Sequence, residues 1–135
     1  MFADTSYFLA LPSSNDHHHA AAIRASKTAQ RMRIQLLTTT WVLVEVGDAL
    51  SKPAFRPRFM SLVDAIQKEP AFEVLPPTES QFRLALALFD KRMDKSWSLT
   101  DCTSFAVMQE RGLVEALTFD RHFKQAGFTA FPSSS

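Results

Sequence analysis

The sequence is poor in the residues that carry several familiar chemistries. Its one cysteine, Cys102, rules out an intramolecular disulfide framework and a cysteine-rich zinc site, and is in keeping with a reducing compartment. Its three glycines, at 47, 112 and 127, are isolated from one another, which excludes Gly-rich phosphate-cradling loops and dinucleotide fingerprints. No uncharged apolar run approaches the ~18 residues that a membrane-spanning helix needs. The opening MFADTSYFLAL has no basic stretch and carries Asp4 in its middle, unlike a signal peptide. A cytoplasmic setting is therefore expected. The formal net charge of +1 neither demands nor excludes a nucleic-acid partner, so any such surface must come from local placement of Lys and Arg.

What is present is a chain of 135 residues, 46% hydrophobic, which is enough for one folded domain with a real core. MFAD reads as a short strand entering a turn, and residues 6–11 as a short helix stopped near Pro12. HHHAAAIRASKTAQRM is Ala-rich and reads as a helix. IQLLTT at 34–39 reads as a central strand, and Thr39 or Thr40 caps the helix WVLVEVGDAL, where Gly47 must be supported by packing. Ser51-Lys52-Pro53 marks a boundary, with Pro53 placed where a next helix would begin and the helix continuing after Pro57. FEVL at 72–75 is a strand ended by Pro76-Pro77. Capping boxes at Thr78/Gln81 and Ser98/Asp101 open two further helices, the second stopping at Gly112. LVEALTF is a strand ending before Asp120, RHFKQAG a turn or short helix, and FTAF a last edge strand before a PSSS tail. Alternation of strand and helix implies α/β architecture, a parallel sheet of about five strands with helices on both faces.

Three carboxylates fall at or beyond strand ends or open a helix: Asp4, Asp101 and Asp120. In open α/β sheets, ligands bind outside the carboxyl ends of the strands. A fourth, Glu45, is the one charge in the otherwise core-like WVLVEVG, where a lone carboxylate must be paired, protonated or metal-bound. Clustered carboxylates raise one another's pKa, and a divalent cation removes that penalty. Hard oxygen ligands favour Mg²⁺ or Mn²⁺ over zinc, and such an ion can activate a water for attack on a phosphodiester. Each acid also has a plainer job: Asp101 in its capping box, Asp120 capping RHFKQ, Asp4 in a turn. Asp16, Asp64, Asp90 and Asp94 read as solvated or capping residues.

Other features are weaker. His17, His18 and His19 point in different directions on a helix and cannot all bind one metal, so they read as a solvated helix start. Cys102 reads as core. His122, two residues past Asp120, is a candidate for phosphate contact or proton transfer, although packing or surface placement is the reading the sequence favours. Arg31, Arg33, Arg56, Arg58, Lys91, Arg92 and Lys95 are scattered basic groups. Arg121 and Lys124 are best placed to receive a polyanion beside Asp120. Trp41 and Trp97 are candidates for base stacking, Trp41 more simply for packing.

The opening FADTSYFLAL, the acid in TTTWVLVEVGDAL, the stretch WSLTDCTSFAVM and the closing ALTFDRHFKQAGF together resemble the PIN-domain nucleases, and within them the toxins of VapBC-type toxin–antitoxin pairs. The resemblance spans nearly the whole chain. It implies one PIN-like domain over residues 1–135, a doubly wound α/β/α sandwich, and Mg²⁺- or Mn²⁺-dependent hydrolysis of RNA. The family's four acids correspond to Asp4, Glu45, Asp101 and Asp120, the last preceded by Thr118 in a T-x-D pattern. Thr5 or Ser6 would hydrogen-bond within the acidic centre. A homodimer and a small antitoxin covering the site are implied as partners. Two other expectations compete: a stand-alone PIN-type nuclease acting on other RNA or on DNA, and a non-catalytic nucleic-acid or protein interaction module with a vestigial acidic pocket.

Overall fold

The computed structural model describes residues 1–133; the last two serines of the PSSS tail lie outside the described residues. The chain runs β1 (Phe2–Ala3), α1 (Thr5–Ala10), α2 (His19–Arg31), β2 (Leu36–Thr39), α3 (Thr40–Ala49), α4 (Arg56–Lys68), β3 (Phe72–Leu75), α5 (Glu79–Lys91), α6 (Leu99–Arg111), β4 (Glu115–Leu117), α7 (His122–Gln125) and β5 (Thr129–Phe131). The five strands form one sheet in the order β3-β2-β1-β4-β5, and every pairing is parallel. The result is an α/β/α sandwich. Among the described residues, no helix is long and apolar enough to cross a membrane.

The winding sets the position of everything that follows. The chain starts in the middle of the sheet at β1, builds outward through β2 and β3, then returns to the other side of β1 with β4 and β5. The order reverses between β1 and β4, so the connections leaving these two neighbours diverge and open a crevice at their carboxyl ends. Phe2 and Ala3 sit opposite Ala116 and Leu117, and the Asp4 N–H continues the ladder to the Leu117 carbonyl at 3.0 Å. Asp4 and Thr118 are therefore brought level at the mouth of that crevice.

The core that holds these strands in register includes Phe2, Phe8, Val42, Val46, Phe105, Met108, Leu117 and Phe123, each at most 1% exposed. Phe105 meets Phe123 edge-on at 5.0 Å. Two threonines in β2 are fully buried yet satisfied: Thr38 Oγ1 donates to the Ala3 carbonyl at 2.8 Å, and Thr39 Oγ1 accepts the Val42 N–H at 3.1 Å to cap α3. Gly47 is explained by close packing, because a Cβ there would lie 3.1 Å from the Phe59 ring of α4. Gly112 ends α6 in the left-handed conformation, φ 65°, as a helix stop requires. Some boundaries differ from expectation: residues 53–55 form a turn and the helix begins at Arg56 with Pro57 in its first turn, His17 and His18 lie in a turn before α2 starts at His19, and β2 and β4 are shorter than the runs IQLLTT and LVEALTF.

Candidate metal centre

Asp4 is the N-cap of α1 and is 3% exposed. Its Oδ2 accepts hydrogen bonds from Thr118 Oγ1 at 2.9 Å and Ser6 Oγ at 3.0 Å, with the Ser6 N–H longer at 3.4 Å. The two hydroxyls lie 3.2 Å apart. Each also accepts a backbone N–H from the loop after β4: Phe119 to Ser6 Oγ at 2.9 Å, and Asp120 to Thr118 Oγ1 at 3.0 Å. Thr118 and Ser6 thus tie the start of α1 to the end of β4. Thr5 does not share this role, since its buried Oγ1 has no hydrogen-bond partner among the described residues.

Asp101 fills the capping role and also faces a second side chain. Its N–H donates to Ser98 Oγ at 2.9 Å and its Oδ2 accepts the Ser98 N–H at 3.0 Å, closing the capping box of α6. The same Oδ2 lies 2.8 Å from His122 Nδ1. Asp120 likewise takes the His122 backbone N–H on Oδ1 at 2.9 Å, where α7 starts, and that oxygen is 3.3 Å from His122 Nδ1. Asp101, Asp120 and His122 form a group whose ligand atoms all lie within 4.8 Å of one another, a spacing able to chelate a divalent metal.

Burial makes negative charge expensive here. Asp4 is pushed up to about 7, first by loss of water and slightly by the charge of Asp101, against the hydrogen bonds from Thr118, Thr5 and Ser6 that favour the carboxylate. Asp101 is also raised, by burial first and then by Asp120, with the Ser98 N–H and His122 acting the other way. A crevice lined by carboxylates that resist ionisation is a site a cation would stabilise. The oxygen-rich donor set, with one imidazole and no thiolate, suits a hard divalent ion. Cys102 adjoins Asp101 but is fully buried, and burial followed by the Asp101 charge pushes its thiol up to about 11.

Glu45 departs from expectation. The helical period buries Val42 and Val46, while the intervening Val44 is 54% exposed and Glu45 is half-buried. WVLVEVG thus winds through both sides of an amphipathic helix, Val42 and Val46 facing the core and Glu45 falling where burial is only partial, so the full burial that made a lone charge there costly does not occur. Glu45 has no hydrogen bond or ion pair among the described residues, and it stands outside the 4.8 Å group. Conversely, His122 belongs to the group, where the sequence favoured packing or surface. The turn after β4 swings it across to Asp101, 21 residues earlier in the chain. Its one signal in sequence was its place two residues past Asp120.

The remaining candidates sort simply. Arg121 and Lys124 are exposed and, with Thr118, Phe119 and Asp120, line a small groove of about 150 Å³ beside the acids. Arg92 pairs with Asp94 and lies 4.9 Å from the Trp97 ring centroid. Trp97 is buried and bonded through Nε1 to Gln125, and Trp41 is bonded through Nε1 to Gln81. Both indoles are occupied in packing.

The comparisons with known proteins agree with this geometry. The PIN domain family matches residues 1–129, and the chain belongs to that family. It is 31% identical over 130 residues, 95% of each chain, to the 23S rRNA-specific endonuclease VapC20 of Mycobacterium tuberculosis, in strains CDC 1551 / Oshkosh and ATCC 25618 / H37Rv. The crystal structure of Mycobacterium tuberculosis VapC20, described as a sarcin-ricin loop cleaving toxin, superposes with a TM-score of 0.82 at 27% identity, covering 95% of both chains. FitAcB from Neisseria gonorrhoeae shares the fold, with a TM-score of 0.68 at 14% identity over 96% of this chain and 95% of that one. The chain is a VapC20-like toxin homologue.

Proposed function

We propose that this protein is a Mg²⁺- or Mn²⁺-dependent endoribonuclease, the toxin of a toxin–antitoxin pair, and that its substrate is a loop of large-subunit ribosomal RNA. The observation that carries the reading is the group Asp101, Asp120 and His122, whose ligand atoms lie within 4.8 Å of one another, with burial holding Asp101 and the neighbouring Asp4 above the ordinary carboxylate range. The homology to VapC20 supports the substrate class.

In this reading Asp101 and Asp120, with Asp4 behind them, hold the divalent ion, which when bound supplies charge for the phosphodiester oxygens and an activated water. Thr118 and Ser6 keep the Asp4 carboxylate oriented. Thr5 favours the carboxylate through its backbone N–H, while its hydroxyl has no hydrogen-bond partner among the described residues. His122 steers Asp101 and Asp120 through its shared Nδ1 and is placed to exchange a proton with a bound phosphate or water. Glu45, half-buried in the middle of α3, is the fourth acid of this reading. Arg121 and Lys124 flank the groove as phosphate contacts. The protein acts in the cytoplasm as a homodimer restrained by a cognate antitoxin. The exposed apolar side chains Leu86, Phe89 and Met93 are surface that such partners would cover.

The test is incubation of purified protein with labelled total RNA and with single-stranded DNA, in Mn²⁺ or Mg²⁺ against EDTA, beside a folded Asp4→Asn variant. Discrete metal-dependent RNA fragments lost in the variant are expected. Cleavage that ignores EDTA or survives the substitution rejects the four-acid mechanism.

A further inference from the structure

The run His17-His18-His19 is not uniform. His19 Nδ1 is bonded to the Ala10 carbonyl at 2.8 Å, which fastens the start of α2 to the end of α1. His18 is exposed, yet its imidazole lies flat on the ring of Phe119, with centroids 4.4 Å apart and planes 7° from parallel. His17, also exposed, meets His18 edge-on at 5.0 Å. Phe119 stands between Thr118 and Asp120, and its N–H is the one that donates to Ser6 Oγ, which in turn donates to Asp4. The histidine stack is therefore braced on a ring that the acidic centre's own hydrogen bonds hold in place.

This arrangement does more than close a loop. Closure of the α1–α2 connection is already supplied by His19 and by the Asp16 carboxylate, which accepts the His18 N–H at 2.7 Å. An exposed, rigid ring stack beside a phosphodiester site is the kind of surface on which unstacked bases of single-stranded RNA rest, with ring N–H groups available to ribose or phosphate. Phe119 itself also lines the groove that holds Arg121 and Lys124. A strand entering that groove thus meets basic side chains and a phenyl ring on which His18 is stacked.

We infer that His18, braced on Phe119, is a substrate-positioning residue that holds a nucleotide flanking the scissile phosphate in a single-stranded RNA loop. The inference rests on the nuclease reading above. Its test uses the full chain and a fluorescein-labelled stem-loop carrying the sarcin–ricin loop sequence. Binding is followed by anisotropy in EDTA, and cleavage kinetics in Mn²⁺. His18→Ala should weaken binding and raise KM about fivefold or more, a loss on the scale of one stacked base, while kcat stays within about twofold. His18→Phe should recover most of the affinity, and the Tm of both variants should match wild type. A wild-type protein that cuts RNA while His18→Ala binds and cuts equally well overturns this inference alone. So does a loss in His18→Ala that falls on kcat and Tm together, which would make the stack a structural brace. A wild-type protein that neither binds nor cuts RNA overturns the nuclease reading, and this inference with it.

Discussion

The two capping boxes of this protein use the same local grammar for different ends. At the start of α5, Thr78 Oγ1 accepts the Gln81 N–H at 3.1 Å, and Gln81 Oε1 accepts both the Thr78 N–H at 3.2 Å and the Trp41 Nε1–H at 2.8 Å. At the start of α6, Ser98 and Asp101 close the same ring, but the side-chain oxygen that returns to the cap also faces His122. Gln81 and Asp101 are almost equally buried, at 8% and 5% exposed. What differs is charge. A neutral amide satisfied by two donors costs the fold little, whereas a carboxylate at the crevice between β1 and β4 stores unfavourable energy that a cation can release. In the second box the cap residue also belongs to a group spaced to chelate a divalent metal, and cap geometry alone does not tell the two boxes apart.

The largest separation between the boxes should come from Asp101→Asn. The amide oxygen keeps the cap, so Tm should stay near wild type, while metal-dependent RNA cleavage should fall roughly 10²–10³-fold, as when one preorganised electrostatic group is lost. Parallel melting and cleavage assays check this, and a Tm loss that accounts for the activity loss would erase the distinction.

Asp4 extends the comparison to a carboxylate that caps α1 only through a 3.4 Å contact. Burial raises it to about 7 from an ordinary value of 3.8, so protonation favours the folded state. Its contribution to stability is fully present below about pH 4 and is lost as pH rises through about 7, by up to ~4 kcal/mol at the linkage conversion. Asp4→Asn should therefore be more stable than wild type at pH 8 in EDTA, with the advantage vanishing near pH 4, as followed by urea melts. Added Mn²⁺ should stabilise wild type more at pH 8 than at pH 6, because binding then displaces no proton. An equal Mn²⁺ effect at both values would show that Asp4 lies outside the site.

Smaller effects belong to the first box. Gln81→Ala removes the acceptor for Thr78 and Trp41 and should cost about 1–3 kcal/mol, with cleavage per folded molecule unchanged. Smallest are Thr78→Ala and Ser98→Ala, each about 1 kcal/mol from the lost cap. Activity should hold in the first and fall several-fold in the second, because Ser98 also fixes the helix start that aims Asp101. Equal activities in these two variants would mean that the boxes are independent of the site.

Strand β3, the Thr39 cap, both boxes and the Gly112 stop were legible because each rests on contacts within a few residues. Asp4, Asp101 and Asp120 were legible as candidates because strand ends and helix starts mark the sheet's carboxyl edge. The burial of Glu45 was misjudged because a run of apolar neighbours does not say which side of a helix meets the core: Val44 turns out to be half-exposed. The part of His122 was hidden because it depends on the angle at which α7 leaves β4, which no local pattern encodes. The division between Ser6 and Thr5 was equally out of reach, since Ser6 owes its role to Thr118 and Phe119 at the far end of the chain.

The hydrogen bond from Thr118 to Asp4 joins residues 114 positions apart. On the ribosome, Asp4 emerges long before Thr118, Asp120 and His122 have been polymerised, and β1 then lacks the neighbour that closes the crevice. A nascent chain consequently carries its first acid with Ser6 beside it but without Thr118, its buried hydrogen-bond donor. If the protein cuts ribosomal RNA, the order of synthesis itself shields the ribosome that is making it, and the hazard begins when β4 clears the exit tunnel and docks beside β1.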